Sequence, residues 1–391
     1  MELRPGRAGA LVDSPDGVFV SGAPPGGLVT IEASLDLCGR SWQCVGEYVA
    51  DRDGEVDTAL DASQGGTYRG TDPFGLFWTV TLDAPYDWTL LHPMRVTLRA
   101  TCDAMSVQTS YARPVLAEGV TEHVVAEAGA GVAGRLFLPE RSSRAVVVIG
   151  GSLAGPGLPV TAALLAGHGV AALSLAYWGH PGTPDVLREI DVEVVGRAAD
   201  WLRGQDLIDD LPPCVVGASR GSELALLAAS LMPEKIGAVV AQVGSGVAWG
   251  AWGEGTDVLD TAWRFDGEPV PQVAEDEDDP EACLDDPEMV AAAEIPIERA
   301  TGPVLLLSGE DDTMWSSTRL SRIAEARAER KDAADRVEHV AYPDAGHFCT
   351  LPPGFPIMSD AVLRTGGSRH GNQGARLDSW RRLLDHVGAL R

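Results

Sequence analysis

Val215-Val216-Gly217-Ala218-Ser219-Arg220-Gly221-Ser222-Glu223-Leu224 is the stretch that decides the fold. The valines read as the end of a buried strand, Gly217-x-Ser219-x-Gly221 as a tight turn, and Leu224 to Leu231 as a helix. Side chains two residues either side of Ser219 would strike the neighbouring strand and helix, which is why both positions are glycine. Such a turn lifts the Ser219 hydroxyl to the end of a sheet. It also leaves the Arg220 backbone N–H free for an oxyanion, with a helix N-terminus behind it. In a chain with 45 glycines the motif alone is weak, and the strand before it and the helix after it carry the reading. Taken without those flanks, Ser219 would be a turn serine. Ser152, in Gly150-Gly151-Ser152-Leu153-Ala154, is a rival nucleophile but lacks the second glycine. Its loop better suits the other half of an oxyanion hole, through a backbone N–H of Gly151 or Ser152.

Outward from this stretch, short apolar runs alternate with helical ones. Ala145 to Ile149, Val170 to Leu175, Cys214 to Val216, Ala238 to Val243 and Val304 to Leu307 are continuous and rich in Val, Leu and Ala, as strands buried on both faces are. Pro159 to Ala166, Val186 to Arg203, Ser222 to Leu231 and Ser317 to Arg330 between them have helical spacing. This alternation predicts a mostly parallel sheet flanked by helices. Before about residue 120 the grammar differs: Leu28 to Ala33, Cys44 to Val49, Leu76 to Leu82 and Met94 to Ala100 read as short strands between Gly, Asp and Pro turns. The expected organisation is a small all-β sandwich over 1–120 and an α/β domain over 121–391, the boundary falling near Glu118 to Glu122. From about 247 to 298 no clear strand is read, and Trp249, Trp252 and Trp263 lie among Gly, Pro and acids. That segment is expected to be a lid-like insertion, the alternative being a disordered one.

A serine hydroxyl needs a base, and the base needs an orienting carboxylate. In an α/β-hydrolase they follow the serine as acid, then histidine. Of the eight histidines, only His339, His347, His370 and His386 follow Ser219, and His386 lies in a terminal helix. His339 falls inside the expected strand Val337 to Tyr342, and His370 in a polar, Gly-rich loop. His347 sits in the loop just after that strand, from which an imidazole can reach back, and is the expected base. After the strand Pro303 to Leu307 come Glu310, Asp311 and Asp312. The Gly-x-x-Asp spacing from Gly309 selects Asp312, with Asp311 as the alternative and Glu310 facing solvent.

Charge narrows the partners. With Lys+Arg 30 against Asp+Glu 57, the net charge is −27, which argues against nucleic acid and against anionic membrane surfaces. The window 254–288 holds 14 acids against Arg264 alone, so it supplies −13 of that −27. An acidic segment is ordinarily a solvated face; beside the entrance, it would repel an anionic carrier such as CoA. The cysteines (Cys38, Cys44, Cys102, Cys214, Cys283, Cys349) are scattered without CxxC spacing, so neither a disulfide framework nor a metal site is expected, and no cofactor motif is read. No leader or 18-residue apolar run is found, and the expectation is a cytoplasmic protein. The excess of Arg over Lys, with abundant Ala and Gly, suggests a bacterial genome.

With these residues together, the chain resembles the family of acyl-CoA thioesterases and bile-acid-CoA:amino-acid N-acyltransferases. The resemblance spans nearly the whole chain. It rests on Gly65-Gly66-Thr67-Tyr68-Arg69-Gly70-Thr71-Asp72-Pro73-Phe74-Gly75-Leu76-Phe77-Trp78, on Gly134-Arg135-Leu136-Phe137-Leu138-Pro139 and Leu164 to Gly169, and on the Ser219 turn. It continues through Glu310-Asp311-Asp312 with Trp315, Tyr342-Pro343 with Gly346-His347, Pro352-Pro353 with Phe355-Pro356, and Asp378 with Trp380. It implies an immunoglobulin-like sandwich before an α/β-hydrolase domain, with the family's triad on Ser219, Asp312 and His347. The acyltransferase branch resembles this chain less at the nucleophile, where it uses Cys. A serine ester is resolved by water, so the resemblance implies hydrolysis of an acyl thioester or ester through an acyl-Ser intermediate. Family thioesterases usually carry Lys where this chain has Arg220. The alternatives are an esterase, lactonase or acyltransferase acting on a biosynthetic small molecule and, from another class, a non-catalytic binding protein on the same scaffold.

Overall fold

The structure is a computed structural model, which describes residues 1–7, 9–82, 87, 89–127, 129, 131–142, 144–206, 208–257, 259–274, 279–358 and 360–389. The chain forms two compact units, Met1–Ala117 with Pro352–Arg364, and Glu118–Leu351 with Thr365–Arg391.

The second unit is built on one eight-stranded sheet. Its strands are β1 (Thr121–Glu127), β2 (Val132–Leu138), β3 (Ala145–Ile149), β4 (Ala171–Ala176), β5 (Cys214–Ala218), β6 (Ala238–Gln242), β7 (Val304–Gly309) and β8 (Val337–Tyr342). They lie in the order 1-2-4-3-5-6-7-8. β2 runs antiparallel to both β1 and β4; every other neighbouring pair is parallel. All residues of β3, β4, β6 and β7 are buried, which is why these strands read as continuous apolar runs with no alternation. The chain leaves β3 for β4 on one side and returns to place β5 on the other. The loops after β3 and β5 therefore diverge and open a crevice at the sheet's carboxyl edge. Helices α1 (Pro159–Gly167), α2 (Glu193–Arg203), α3 (Arg220–Leu231), α4 (Ser317–Arg330) and α5 (Arg369–Ala389) follow the strands. On α3 every residue from Arg220 to Ser230 is buried, so it is a core helix and not an amphipathic surface one.

Within this unit two elements differ from expectation. The helix expected from Val186 begins only at Glu193, because Ile190–Asp191 pairs with Trp263–Arg264 as a short parallel ladder. The stretch 247–298, expected to lack strands, contains two, Trp263–Phe265 and Glu268–Pro269, joined antiparallel. It also holds the helix Pro287–Ala293, whose first turn is capped by Asp286 Oδ1 accepting from Glu288 N (2.9 Å) and Met289 N (3.2 Å). Val247, Trp249, Val273, Cys283, Leu284 and Ala293 bury together with Leu320 of α4 as a small core, so most of the segment is packed. Four of its acids, Glu275, Asp276, Glu277 and Asp278, lie outside the described residues.

Among the described residues the first unit is all-β apart from one short helix. Its five-stranded antiparallel sheet is built around Leu28–Leu37, Arg40–Val49, Met94–Cys102 and Met105–Arg113; a second sheet joins Glu2–Pro5, Val18–Ser21 and Val56–Asp57. Alternating burial along Leu28–Leu37 marks a half-covered strand. The strand expected over Leu76 to Leu82 is corrected to a helical turn, Gly75–Trp78, followed by the short strand Thr81–Leu82. Asp72 closes that turn: its Oδ1 accepts from Phe74 N (2.8 Å) and its Oδ2 from Trp78 Nε1 (2.6 Å). Residues Pro352–Arg364, inside the range read as the second domain, fall in the first unit, where Ile357–Met358 pairs with Thr81–Leu82. Among the described residues no helix is long and apolar enough to cross a membrane.

Candidate active site

Ser219 sits between β5 and α3 with φ 54° and ψ −124°, a backbone conformation that non-glycine residues rarely adopt. Its surroundings enforce it. A Cβ on Gly217 would lie 2.2 Å from Gly221 O, and one on Gly221 would lie 2.3 Å from Gly150 O and 2.6 Å from Ile149 O. Ser219 N donates to Gln242 O (2.8 Å), while the Ser222 hydroxyl donates to Ser219 O (2.8 Å) and Gln242 O (3.0 Å). The turn is thereby tied to the end of β6.

His347 is buried in the loop after β8, and its Nδ1 lies 2.8 Å from Asp312 Oδ2. Asp312 Oδ1 accepts from Met314 N (3.0 Å) and Trp315 N (3.3 Å), so the carboxylate is aimed by the loop that follows β7. Trp315 stands edge-on to His347, ring centroids 6.3 Å apart, and its Nε1 donates to Val243 O (2.9 Å) just past β6. Gln242 Nε2 in turn donates to Thr350 O (3.3 Å), three residues beyond the histidine. These bonds gather the ends of β5, β6, β7 and β8 at one sheet edge. Among the described residues no hydrogen bond links Ser219 Oγ to His347; bonds of this kind commonly tighten only in the substrate complex.

The other candidates separate by their contacts. Asp311 is exposed and accepts from Gly367 N (3.0 Å), and Glu310 is exposed beside Arg322 (4.0 Å). His339 is a sheet residue held between Glu325 Oε2 (3.1 Å) and Ser308 Oγ (2.9 Å). His370 is exposed in the first turn of α5. Cys349, two residues past His347, is buried, and burial followed by the charge of Asp312 pushes its thiol up, so it stays protonated and is a poor nucleophile.

The loop after β3 lies against the serine: a Cβ on Gly151 would be 2.8 Å from Ser219 Cβ and 3.3 Å from its Oγ. Two residues that the sequence reading missed hold this loop. Tyr177 Oη lies 3.0 Å from both Gly150 O and Gly151 O, and Trp178 Nε1 lies 3.4 Å from Gly151 O. In a trans peptide the N–H points opposite to the C=O. The N–H groups of Gly151 and Ser152 therefore point away from Tyr177. Arg220 N occupies the first turn of α3, where it has no intrahelical acceptor. The Arg220 side chain, by contrast, turns inward: its Nη2 donates to Trp249 O (3.1 Å) and Gly250 O (2.7 Å), and its Nε pairs with Glu223 (3.3 Å). Glu223, fully buried, also accepts from Trp249 N (2.7 Å) and from Trp263 Nε1. Their sequence signals were an aromatic pair just past a strand and a lone acid on an apolar helix.

The sheet order, the strained serine turn and the Asp312–His347 pair define an α/β-hydrolase. The family described as "BAAT / Acyl-CoA thioester hydrolase C terminal" matches residues 190–387, and "Acyl-CoA thioester hydrolase/BAAT N-terminal region" matches 13–127. The chain belongs to this acyl-CoA thioester hydrolase/BAAT family. It is 28% identical to the peroxisomal succinyl-coenzyme A thioesterase of Mus musculus, over 96% of this chain and 93% of that one. With the mitochondrial acyl-coenzyme A thioesterase 2 of Rattus norvegicus it shares 29% identity over 98% of this chain and 87% of the relative. Acyl-coenzyme A thioesterase 1 of Homo sapiens is 28% identical over 95% and 92%.

Proposed function

We propose that this enzyme hydrolyses acyl-CoA thioesters through an acyl-Ser219 intermediate. The observation that carries the reading is the Ser219 turn, wedged by Gly217 and Gly221, on the same sheet edge as the Asp312–His347 pair. Family membership and relatives named as thioesterases support the substrate class. Ser219 Oγ attacks the thioester carbon as its proton passes to His347 Nε2, and Asp312 stabilises the imidazolium through Nδ1. The carbonyl oxygen takes the negative charge and is met by the N–H of Arg220 and that of Gly151 or Ser152. Collapse breaks the C–S bond, the imidazolium proton goes to sulfur, and the free thiol leaves. His347 then takes a proton from water as it attacks the ester carbon; collapse breaks the C–Oγ bond, the imidazolium returns its proton to Ser219 Oγ, and the acid leaves and ionises to the carboxylate. Serine in place of cysteine favours water as the acceptor, since an oxygen ester keeps less driving force for attack by an amine.

The chemistry is assigned to the second unit, with the segment 247–298 as cover over the site, supported by Trp249 packing on Trp315 beside His347 (5.8 Å and 6.3 Å between centroids). We place the enzyme in the cytoplasm of a bacterium, on cysteines without pair spacing and on the Arg-, Ala- and Gly-rich composition. Ser219→Ala tests the reading: thiol release from acyl-CoA is expected to fall by about 10⁶-fold. Undiminished release would overturn it.

A further inference from the structure

The loop after β3 and the start of α3 come from different parts of the chain, yet two N–H groups from them must face one oxygen. Something has to hold both in register. The Gly150 carbonyl is enclosed on one side by Gly221, where a Cβ would approach it to 2.3 Å, and on the other by the Tyr177 hydroxyl at 3.0 Å. Tyr177 also reaches Gly151 O at 3.0 Å, so one phenol sets the plane of both peptides whose N–H groups belong to Gly151 and Ser152. Burial pushes the phenol's proton affinity far up, so the hydroxyl remains a donor throughout the working pH range. The Tyr177 ring packs on Trp263 (6.1 Å between centroids), and Trp263 Nε1 donates to Glu223. Glu223 pairs with Arg220, whose backbone N–H is the second donor. Trp263, itself fully buried, thus braces Tyr177 on one side and α3 on the other.

We propose that Tyr177 is a positioning residue for the oxyanion site, fixing the Gly150-Gly151-Ser152 peptides against Ser219, with Trp263 and Glu223 locking that loop to the helix bearing Arg220. The proposal rests on the serine-hydrolase reading above. It has a distinguishing consequence: losing the phenol oxygen weakens whatever bears a charged tetrahedral oxygen and leaves ground-state binding alone.

The experiment compares wild type with Tyr177→Phe, and with Trp263→Phe as a second variant. Three quantities are read: kcat and KM for an acyl-CoA, Ki for an alkyl trifluoromethyl ketone, and Tm. The ketone accepts Ser219 Oγ at its carbonyl carbon, the serine proton passing to His347, and so places an oxyanion where the transition state does. For Tyr177→Phe the expected result is a kcat/KM loss of about 10²-fold, of the size that an ångström of misplacement costs, with KM unchanged and Ki raised by the same factor. Trp263→Phe is expected to change kcat/KM and Ki in the same proportion, by less. Wild-type Ki in Tyr177→Phe overturns the proposal whatever happens to kcat, as does a rise in KM alone or a loss that follows Tm and spares Ki. Failure of wild type to bind the ketone or to react with a fluorophosphonate at Ser219 would instead remove the serine reading, and the proposal with it.

Discussion

Ser219 holds a left-handed backbone conformation (φ 54°) that costs on the order of 1–3 kcal/mol, and its N–H bond to Gln242 O and the Ser222 bonds around it offset that cost. The carboxylates of the β7 loop show how finely position decides a side chain's surroundings. Asp312 is buried with one oxygen on two backbone N–H groups and the other on His347, whereas its neighbour Asp311 faces solvent. Asp312→Asn is therefore expected to lower kcat by about 10⁴-fold by disturbing the imidazole tautomer, while Asp311→Asn stays within about tenfold of wild type in steady-state thioester assays. Equal losses would count against Asp312 as the orienting acid. The serine turn was legible in sequence because its signature is local: strand, Gly-x-Ser-x-Gly and helix lie within about ten residues. Tyr177 was not legible, since the carbonyls it holds lie 26 and 27 residues upstream and meet it only through the crossover from β3 to β4.

Element by element, the long apolar runs gave their positions away and the short pieces did not. The strands Trp263–Phe265 and Glu268–Pro269 are too brief for a periodicity to register. A turn signal was nevertheless there: Asp266-Gly267, with φ 52° and 77°, is the Asp-Gly pair that two-residue hairpins favour. Farther along, the segment is pinned to α4 by Arg327, which binds Glu298 Oε2 (2.8 Å) and Glu294 Oε2 (3.1 Å). The Arg327 hydrogen bond, against an opposing desolvation, holds the Glu298 carboxyl below its usual 4.5. A depressed carboxyl stabilises the fold fully above the unfolded value, and that stability is lost as pH falls through the lower folded one. Arg327→Ala should therefore lower Tm by about 1–2 °C at pH 7, for roughly 1 kcal/mol. The gap should narrow as the pH drops below about 4.5. A gap independent of pH would mean that the arginine acts by packing alone.

The whole chain carries −27, almost half of it in the window 254–288, and a CoA ester is itself an anion. Repulsion between the two is screened over about 8–10 Å at physiological salt and over about 30 Å at 0.01 M. Raising salt from about 0.01 to 0.15 M is accordingly expected to increase kcat/KM for an acyl-CoA and to leave that for the uncharged N-acetylcysteamine thioester of the same acyl group flat. A fall with salt for the CoA ester would reveal a basic docking patch instead. The two-part organisation was legible from the change of rhythm near residue 120. The return of Pro352–Arg364 to the first unit was not, because so short a stretch carries no periodicity of its own. The proposed carrier of the acyl group is Ser219 Oγ. The direct measurement is acid-quenched turnover of an acyl-CoA followed by peptide mass, with thiol release recorded on the same samples of wild type and Ser219→Ala. An acyl mass on the Ser219 peptide of wild type, with neither adduct nor thiol release in Ser219→Ala, is the predicted result; undiminished thiol release by Ser219→Ala, or an adduct on a cysteine, would contradict it.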